Sequence, residues 1–348
     1  MFELVEKLEK QRSLTLAEYE YLLENRTDEI AGILAQKARQ AREAVYGKAV
    51  YIRGLIEVGN ICKNDCLYCG IRGSNKDCER YRLTENDILS CCDNGYKLGF
   101  RTFVMQGGED AYFNDDFMCG VISKIKSKYP DCAVTLSLGE KSYESYKRLF
   151  DAGADRYLLR HETADKEHYE KLHPESMSYE NRMECLKNLK EIGYQTGCGF
   201  MVGSPYQTYA NLSKDLKFVE EFKPQMCGVG PFIPHKATPF KDYPAGSAEL
   251  TCYILSIIRL IQPRILLPAT TALGTALQDG REKGLLSGAN VVMPNLSPVE
   301  QRKKYELYNN KLNTGAEAAE AVKALAKKIE SVGYFIVTDR GDIKKEGN

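Results

Sequence analysis

The stretch VYIRGLIEVGNICKNDCLYC, residues 50–69, joins a strand-like segment to three closely spaced cysteines. Residues 50–58 are rich in β-branched and other apolar side chains, a pattern typical of a buried strand. Cys62, Cys66 and Cys69 follow directly, separated by three and then by two residues. The segment therefore predicts a strand that leads into a loop carrying three thiols.

Seven further strand-like runs follow this segment, with helical patterns between them. The runs lie at residues 101–106, 133–139, 156–162, 194–203, 227–232, 265–271 and 290–294. Two of the helical patterns, 84–99 and 179–193, end in glycine, the residue that commonly terminates helices. Eight strands alternating with helices favour an α/β fold of the (β/α)8 TIM-barrel type over a doubly wound sheet. In such a barrel the cysteine loop is the first βα loop, on the face where active sites form.

The predicted barrel, residues 48–308, is flanked by two shorter segments. Residues 1–47 predict a helical extension, with Thr15 suited to cap one helix and a second helix over residues 28–46. Residues 309–348 predict a helix over 316–332, a short apolar run and a charged, frayed tail.

Composition excludes several classes of protein. The chain has 348 residues, 43% of them hydrophobic, and no formal net charge, so a sizeable core is expected and no general attraction to nucleic acid. The apolar run at residues 253–261 is too short to cross a bilayer, and the N-terminus lacks the apolar centre of a signal peptide. We therefore expect a cytoplasmic protein that binds neither nucleic acid nor membrane.

Nine of the twelve cysteines lie outside the loop. A disulfide framework suits small secreted chains, so in this chain most of these cysteines are expected to be buried thiols in a reducing cell. They are Cys78, Cys91, Cys92, Cys119, Cys132, Cys185, Cys198, Cys227 and Cys252.

The three loop cysteines suit a [4Fe–4S] cubane, in which they would occupy three of the four iron corners. A zinc site is one alternative, but structural zinc normally takes four ligands and none of the four histidines lies near this loop. An electron-transfer cluster completed by Cys78 is a second alternative. The spacing alone leaves these two alternatives open.

Strand alternation places polar side chains inside the predicted barrel. Arg53, Arg156, Arg160, Thr135 and Ser137 share faces that point into the lumen, which apolar residues usually fill. Several arginines in one lumen predict a cavity for a small anionic substrate. The alternative is an internal salt-bridge network with Glu57 and Glu162.

Three further candidates lie at the end of a strand or in a loop. Thr270 and Thr271 end the seventh strand, where they either add hydroxyls to the cavity or cap a helix. His235 lies in a loop above the barrel, where functional residues are common. By contrast, alternation turns His161 outward, as expected of a packed histidine.

The cysteine loop, CxxxCxxC with Tyr68 before the last cysteine, resembles the signature of radical S-adenosylmethionine (SAM) enzymes. Residues 106–110, QGGED, lie at the end of the second strand, where such enzymes carry a GGE motif that meets the SAM amino group. The resemblance implies that SAM is cleaved reductively to methionine and a 5′-deoxyadenosyl radical, with the hard chemistry supplied by the cofactor.

Longer strings, among them VYIRGLIEVGN, CLYCGIR, YLLRHETA, PATTALGT and NVVMPN, resemble the HydE family, the radical SAM maturases of [FeFe]-hydrogenase, over residues 48–308. This family is grouped with biotin synthase and methylornithine synthase, whose barrels are complete. The resemblance implies a role in building the hydrogenase H-cluster on a small iron complex that carries CO, cyanide and cysteine. It also implies a reducing electron donor and other maturases as partners.

The resemblance also assigns residues. Cys62, Cys66 and Cys69 would ligate the cluster, while Gly107, Gly108 and Glu109 would border the methionine part of SAM. Glu162 and Arg182 would hold SAM, with Met226 and Tyr305 beside it. The residues implied to line the substrate or anion sites are Arg53, Thr135, Arg156, Arg160, Thr270, Thr271 and Met293.

The cysteine positions also bear on how many clusters the chain holds. Some members of the family carry a second cluster near the C-terminus, whereas here Cys252 is the last cysteine, which predicts one cluster. Alternative functions are a methylornithine-synthase-like or biotin-synthase-like enzyme acting on an amino acid, and a non-catalytic iron–sulfur or zinc scaffold.

Overall fold

Parallel strands arranged in a ring form the centre of the computed structural model, which describes residues 1–312 and 319–345. The strands are β1 Ala49–Ile52, β2 Gly54–Gly59, β3 Thr102–Gly107, β4 Ala133–Ser137, β5 Arg156–Leu158, β6 Gln195–Val202, β7 Met226–Pro231, β8 Val291–Val292 and β9 Phe335–Val337. Helices α1–α3 precede the strands, at Phe2–Gln11, Leu16–Glu24 and Asp28–Tyr46.

Helices follow most of the strands. They are α4 Glu85–Lys97, α5 Asp115–Lys128, α6 Tyr143–Asp151, α7 Lys166–Leu172, α8 Tyr179–Ile192, α9 Tyr209–Phe222, α10 Ala248–Ile261, α11 Thr271–Ala276, α12 Gly280–Leu286 and α13 Val299–Arg302. A 3₁₀ turn, Ala319–Ala321, leads into α14, Val322–Glu330, and the first residues of the predicted helix over 316–332 fall outside the described part of the chain.

The strands close into a barrel. β2 to β7 form one parallel sheet in sequence order, and β8 pairs with β1 in a second sheet. Two isolated bridges, Met226 to Leu266 and Pro268 to Val291, connect β7 to β8 through the segment that holds the predicted seventh strand. The eight-stranded barrel prediction is therefore confirmed, although the seventh strand is reduced to these bridges.

The first barrel strand changes neighbours halfway along its length. β1 lies between β8 and β9, whereas β2 lies between β3 and a bridge from Leu55 to Asn295. The break falls at Arg53, whose N–H still donates to the Val292 carbonyl at 2.9 Å. The single strand predicted over 50–58 is therefore two consecutive strands, β1 and β2, which pair with different neighbours.

The C-terminal tail packs across the amino end of the barrel. Thr102, the first residue of β3, donates its hydroxyl to the Arg340 carbonyl at 2.7 Å. Arg156, the first residue of β5, pairs with Asp342, which also accepts from Gln195 Nε2 at 2.8 Å. The short apolar run before the tail forms β9. The prediction of a frayed tail is wrong for residues 340–343, because these polar contacts hold that part of the tail in place.

The N-terminal helices pack against α9 and α10 on the outside of the barrel. Thr15 and Glu18 cap α2 reciprocally, and the Tyr19 hydroxyl on the same helix donates to Glu220 of α9 at 2.8 Å. α3 spans the predicted residues and packs against α10. Within residues 1–312 and 319–345, no helix is long and apolar enough to cross a membrane.

Candidate active site

A cavity of about 330 Å³ lies at the carboxyl ends of the barrel strands. Its walls include Gly107 at the end of β3, Ser137 at the end of β4 and Leu158 at the end of β5. The loop between β2 and α4, which carries the cysteines, forms part of the same wall. The cavity therefore occupies the barrel face where loops assemble active sites.

Cys62, Cys66 and Cys69 all line this cavity, and the backbone around them is held by neighbouring segments. The Glu109 N–H points at Cys62 Sγ, 3.4 Å away, and the Lys63 N–H donates to the Glu109 carbonyl at 2.9 Å. The Leu67 N–H donates to the Leu172 carbonyl at 3.0 Å. The loop is thus fixed by two other βα segments before any metal binds.

Burial keeps these thiols neutral in the protein alone. It raises the pKa of Cys66 to about 12, and it also raises the pKa values of Cys62 and Cys69. A metal that coordinates a thiol deprotonates it, so a positively charged centre would compensate for this burial. Among the described residues, no three His, Cys, Asp or Glu side chains converge to hold a single metal ion. A cubane, in which each cysteine binds a different iron, does not need such convergence.

Two side chains that the sequence did not single out lie against the cysteine loop. Met177 Sδ is 3.6 Å from Cys66 Sγ, and His173 Nε2 is 3.2 Å from the Tyr68 hydroxyl. The His173 ring stacks on Tyr169 with 3.9 Å between ring centroids. Both contacts join segments about 105–111 positions apart, so no local pattern in the sequence could have indicated them.

The glycines of the QGGED motif allow β3 and the cysteine loop to come close together. A Cβ on Gly108 would lie 2.3 Å from the Ile61 carbonyl oxygen and 2.7 Å from Cys62 Cβ. Gly107 is less constrained, with Val58 Cγ2 at 3.1 Å. Glu109 forms an ion pair with Lys63 at 3.2 Å and accepts from the Glu140 N–H at 3.0 Å. The motif therefore serves as a packing surface for the first cysteine.

A second group of charged residues lies on the wall formed after β5. Arg182 donates to Glu140 at 2.5 Å and to the Arg160 carbonyl at 2.6 Å. Burial alone would lower the pKa of Arg182, but the neighbouring Tyr169 and Glu140 raise it above its ordinary value. Arg182 is therefore a permanent cation on this wall.

Arg160 and Glu162 carry buried polar atoms that face the cavity. Arg160 Nη2 lies 3.4 Å from Glu162 Oε2, which is an ion-pair distance without hydrogen-bond geometry. In the described part of the chain these two atoms and Arg160 Nε have no hydrogen-bond partner. Buried polar groups in proteins normally have partners, so a ligand with both donors and acceptors fits this wall.

The segment after α13 closes another side of the cavity. Tyr305 and Tyr308 line it, and the Tyr305 hydroxyl accepts from Gln106 Nε2 at 3.3 Å. Lys311 forms a buried ion pair with Glu57 in the barrel. Glu57 therefore pairs with this segment rather than with the lumen arginines. Thr270 and Met293 complete the predicted residues that reach the cavity.

Five predicted site residues are not brought to the cavity: Arg53, Thr135, Arg156, Met226 and Thr271. Arg53 Nη1 donates to Met226 Sδ at 3.0 Å, and its Nη2 donates to the Gly341 carbonyl of the tail at 3.3 Å. Thr135 of β4 pairs in register with Arg156, the first residue of β5, and so lies toward the amino end of the barrel. Thr271 is the first residue of α11, capped by Thr270, and accepts from Arg281 at 3.3 Å.

Two further candidates also lie outside the cavity wall. His235 is buried against the cysteine loop, 3.7 Å from Glu306, and a Cβ on Gly70 would meet its ring at 2.6 Å. Cys78 contacts Asn60 Nδ2 at 3.4 Å and the Lys304 carbonyl at 3.9 Å. Neither residue lines the cavity with the three loop cysteines among the residues described.

Comparison with known proteins agrees with this geometry. Residues 56–219 match the Radical SAM superfamily. The chain is 41% identical over 343 residues to the [FeFe] hydrogenase maturase subunit HydE of Thermotoga maritima, covering 99% of this chain and 97% of that protein. It is 28% identical to the 3-methylornithine synthase of Methanosarcina acetivorans, covering 85% and 83%.

Among solved structures, methylornithine synthase (PylB) superimposes with a TM-score of 0.82 at 25% identity, over 96% of this chain and 97% of that one. The likeness extends beyond the barrel to nearly the whole chain. The assignment rests on the radical SAM match, on the cysteine loop at the carboxyl ends of the barrel strands, and on 41% identity to a maturase over 99% of the chain. The chain belongs to the HydE family of radical SAM enzymes.

Proposed function

We propose that this chain is a maturase of HydE type, which acts on a small anionic iron complex during assembly of the [FeFe]-hydrogenase H-cluster. The observation that carries the proposal is the 41% identity to the maturase subunit over 99% of the chain. The cavity supports it, because one space of about 330 Å³ holds the three loop cysteines together with Arg160, Glu162 and Arg182.

In this proposal Cys62, Cys66 and Cys69 hold a single [4Fe–4S] cluster and leave its fourth iron to SAM. When bound, the cluster supplies the electron that cleaves SAM to methionine and a 5′-deoxyadenosyl radical. The protein supplies a partly buried, preformed loop, fixed by contacts such as the one from the Glu109 N–H to Cys62. A single cluster is proposed because no cysteine follows Cys252.

SAM would lie against the walls that flank the cysteine loop. Gly107, Gly108 and Glu109 would border its methionine end, where the glycines allow a ligand close access to the backbone. Glu162 Oε2 offers an acceptor for a ribose hydroxyl or an ammonium group. Arg182 contributes a fixed positive charge for the SAM carboxylate, and Tyr305 would close the other side.

The substrate would occupy the part of the cavity lined by Arg160, Thr270 and Met293. Two nitrogens of Arg160 are buried donors without hydrogen-bond partners in the described residues, which is costly unless a bound group accepts from them. A guanidinium group suits a carboxylate or a similar anion. A cysteine-bound iron complex with CO and cyanide ligands is small and negatively charged, so it would fit this part of the cavity and accept hydrogen bonds from Arg160.

Under the same proposal the chain receives electrons from a reducing protein donor and works with other maturases. Substrate specificity separates it from the methylornithine synthase that it resembles less closely in sequence. The test is production of 5′-deoxyadenosine by the anaerobically reconstituted enzyme. The cysteine-bound iron complex should stimulate production severalfold over SAM alone, and lysine should not. Stimulation by lysine but not by the complex would contradict the proposal.

A further inference from the structure

A buried histidine–aspartate pair lies directly behind Glu162. His161 points away from the cavity toward α9, and its ring centroid lies 4.6 Å from that of Phe218. Its Nε2 is 3.2 Å from Asp215 Oδ1, and both side chains are fully buried. Neither residue lines the cavity wall, so this pair cannot contact a ligand bound there.

Each member of the pair also accepts a backbone hydrogen bond. Asp215 accepts from the turn at residues 160–164, and His161 accepts from the neighbouring strand β6. The Ala164 N–H donates to Asp215 Oδ1 at 2.6 Å, and the Gly199 N–H donates to His161 Nδ1 at 3.3 Å. Because Nδ1 accepts a hydrogen bond, the ring is neutral and its Nε2–H donates to Asp215. Burial acts in the same direction, since it lowers the pKa of His161 to about 3.

The turn needs such support because Glu162 has a φ of 65°, in the left-handed region that non-glycine residues seldom adopt. Residues held in this region persist only where the surrounding structure fixes them, and they cluster at functional sites. The Glu162 N–H donates to the Gly199 carbonyl at 3.0 Å. Gly199 packs closely against β7, because a Cβ at this position would lie 2.2 Å from the Gly228 carbonyl oxygen. The strained residue is therefore anchored to a rigid point on β6.

We propose that His161 and Asp215 are positioning residues for SAM binding. Their hydrogen bonds to Gly199 and Ala164 hold the turn in the one conformation that presents the Glu162 carboxylate to the cavity. The inference rests on the proposed function, in which Glu162 contacts SAM. Under this inference the affinity of the site for SAM depends on His161 and Asp215, although neither residue contacts SAM.

The main test is calorimetric titration of SAM into the anaerobically reconstituted protein. Asp215→Ala should weaken SAM binding about tenfold, as expected when a strained binding residue loses its support. Asp215→Asn keeps an oxygen acceptor for Ala164 and His161, so it should bind within about threefold of the wild type. Leu216→Ala is the control, because it opens space beside Asp215 in the buried part of α9 and removes no hydrogen bond to the turn.

Two outcomes would overturn the inference. In the first, Asp215→Ala binds SAM as tightly as the wild type. In the second, Leu216→Ala loses as much affinity as Asp215→Ala, which would make the effect one of general stability. Should Asp215→Ala fail to fold, His161→Phe replaces it, because a phenyl ring keeps the packing against Phe218 and removes both ring nitrogens.

A measurement without SAM or cluster gives an independent result. Amide hydrogen exchange should accelerate at least about tenfold at Gly199 in His161→Phe and at Ala164 in Asp215→Ala, because each variant removes the acceptor of that N–H. Exchange at both positions should stay unchanged in Leu216→Ala. Glu162→Gln separates this inference from the proposed function. Unchanged SAM binding in Glu162→Gln would overturn the assignment of Glu162 itself. Weakened binding there with wild-type binding in Asp215→Ala would overturn only the positioning role.

Discussion

Arg156, fully buried at the first position of β5, forms an ion pair with Asp342 of the C-terminal tail. The same arginine donates to the Arg340 carbonyl at 2.8 Å and to Thr102 Oγ1 at 2.9 Å. A buried guanidinium without an anion would be strongly destabilising. The tail therefore supplies the charge that makes an arginine tolerable at the amino end of the barrel.

Asp342→Ala should accordingly destabilise the protein. Removal of one partner of a fully buried pair costs about 3–5 kcal/mol, but Asp342 is 38% exposed and water replaces part of its effect, so we expect about 1–2 kcal/mol. Urea unfolding followed by circular dichroism measures the change in the free energy of unfolding. Asp116→Asn, which removes an exposed partner of Arg148, should change it by less than about 0.5 kcal/mol. Equal effects of the two variants would contradict the assigned role of the tail.

The stabilisation by Asp342 should also depend on pH. Burial alone would raise the pKa of Asp342, but the charge of Arg156 and the hydrogen bond from Gln195 lower it to about 2. Because this is below the value of about 3.9 for an unfolded aspartate, the stabilisation is complete above pH ~4 and is lost as the pH falls toward ~2. The difference in unfolding free energy between wild type and Asp342→Asn should narrow over that range. A difference that widens on acidification would contradict this prediction.

Cys66→Ala should abolish cluster assembly, because two thiolates do not retain a cubane. Iron analysis after anaerobic reconstitution should give about four iron atoms per chain for the wild type and almost none for the variant. Cys252→Ala is the matched control, since Cys252 lies on α10, outside the cavity wall. A wild-type iron content in Cys66→Ala would show that the ligands are assigned wrongly.

Gly108→Ala should damage the cysteine loop, because the new methyl group would lie 2.3 Å from the Ile61 carbonyl oxygen. The clash is with backbone, so the loop must move, and we expect iron incorporation to fall at least about twofold together with a loss of stability of about 1–3 kcal/mol. Gly120→Ala provides the comparison, because the nearest atom to its new Cβ is Glu85 Oε2 at 4.0 Å and alanine favours the helix. Gly108→Ala with full iron content and unchanged stability would disagree with the packing role given to this glycine.

Arg160→Leu should leave the cluster intact and lower substrate-stimulated 5′-deoxyadenosine formation at least about tenfold, the order expected when a charged contact to a bound anion is lost. Arg160→Lys keeps the charge without the planar guanidinium group, so its rate of 5′-deoxyadenosine formation should lie between those of the wild type and Arg160→Leu. Arg148→Leu, on the exposed surface of α6, should behave as the wild type. If Arg160→Leu turned over normally, Arg160 would have a structural role only.

The barrel was predictable because its signal repeats along the chain. Strand runs alternate with helices, and glycine ends helices at the expected places, as at Gly193 with its φ of 106°. The weak points were strands whose pairing is mostly set by other segments. Among the described residues, the seventh strand makes two bridges and β9 is three residues long, so the pairing of both is shorter than the apolar runs at these positions.

The site was predictable in part, because alternation gives the face of a strand but not the depth along it. Arg156 and Arg160 share a face of the predicted strand, but Arg156 is the first residue of β5 and Arg160 lies two residues beyond its end. Arg160 reaches the cavity at the carboxyl end, whereas Arg156 meets the tail at the amino end. The contact of His173 with Tyr68 is set by tertiary packing alone, which no spacing rule encodes.

The central claim is that three cysteines hold an iron–sulfur cluster whose fourth iron is left for SAM. The most direct measurement is the electron paramagnetic resonance spectrum of the reduced, reconstituted protein with and without SAM. We predict that SAM shifts the g-values of the cluster signal in the wild type and that Cys66→Ala shows no cluster signal. An intact cluster signal that does not respond to saturating SAM would mean that protein already occupies the fourth iron, and it would contradict the account.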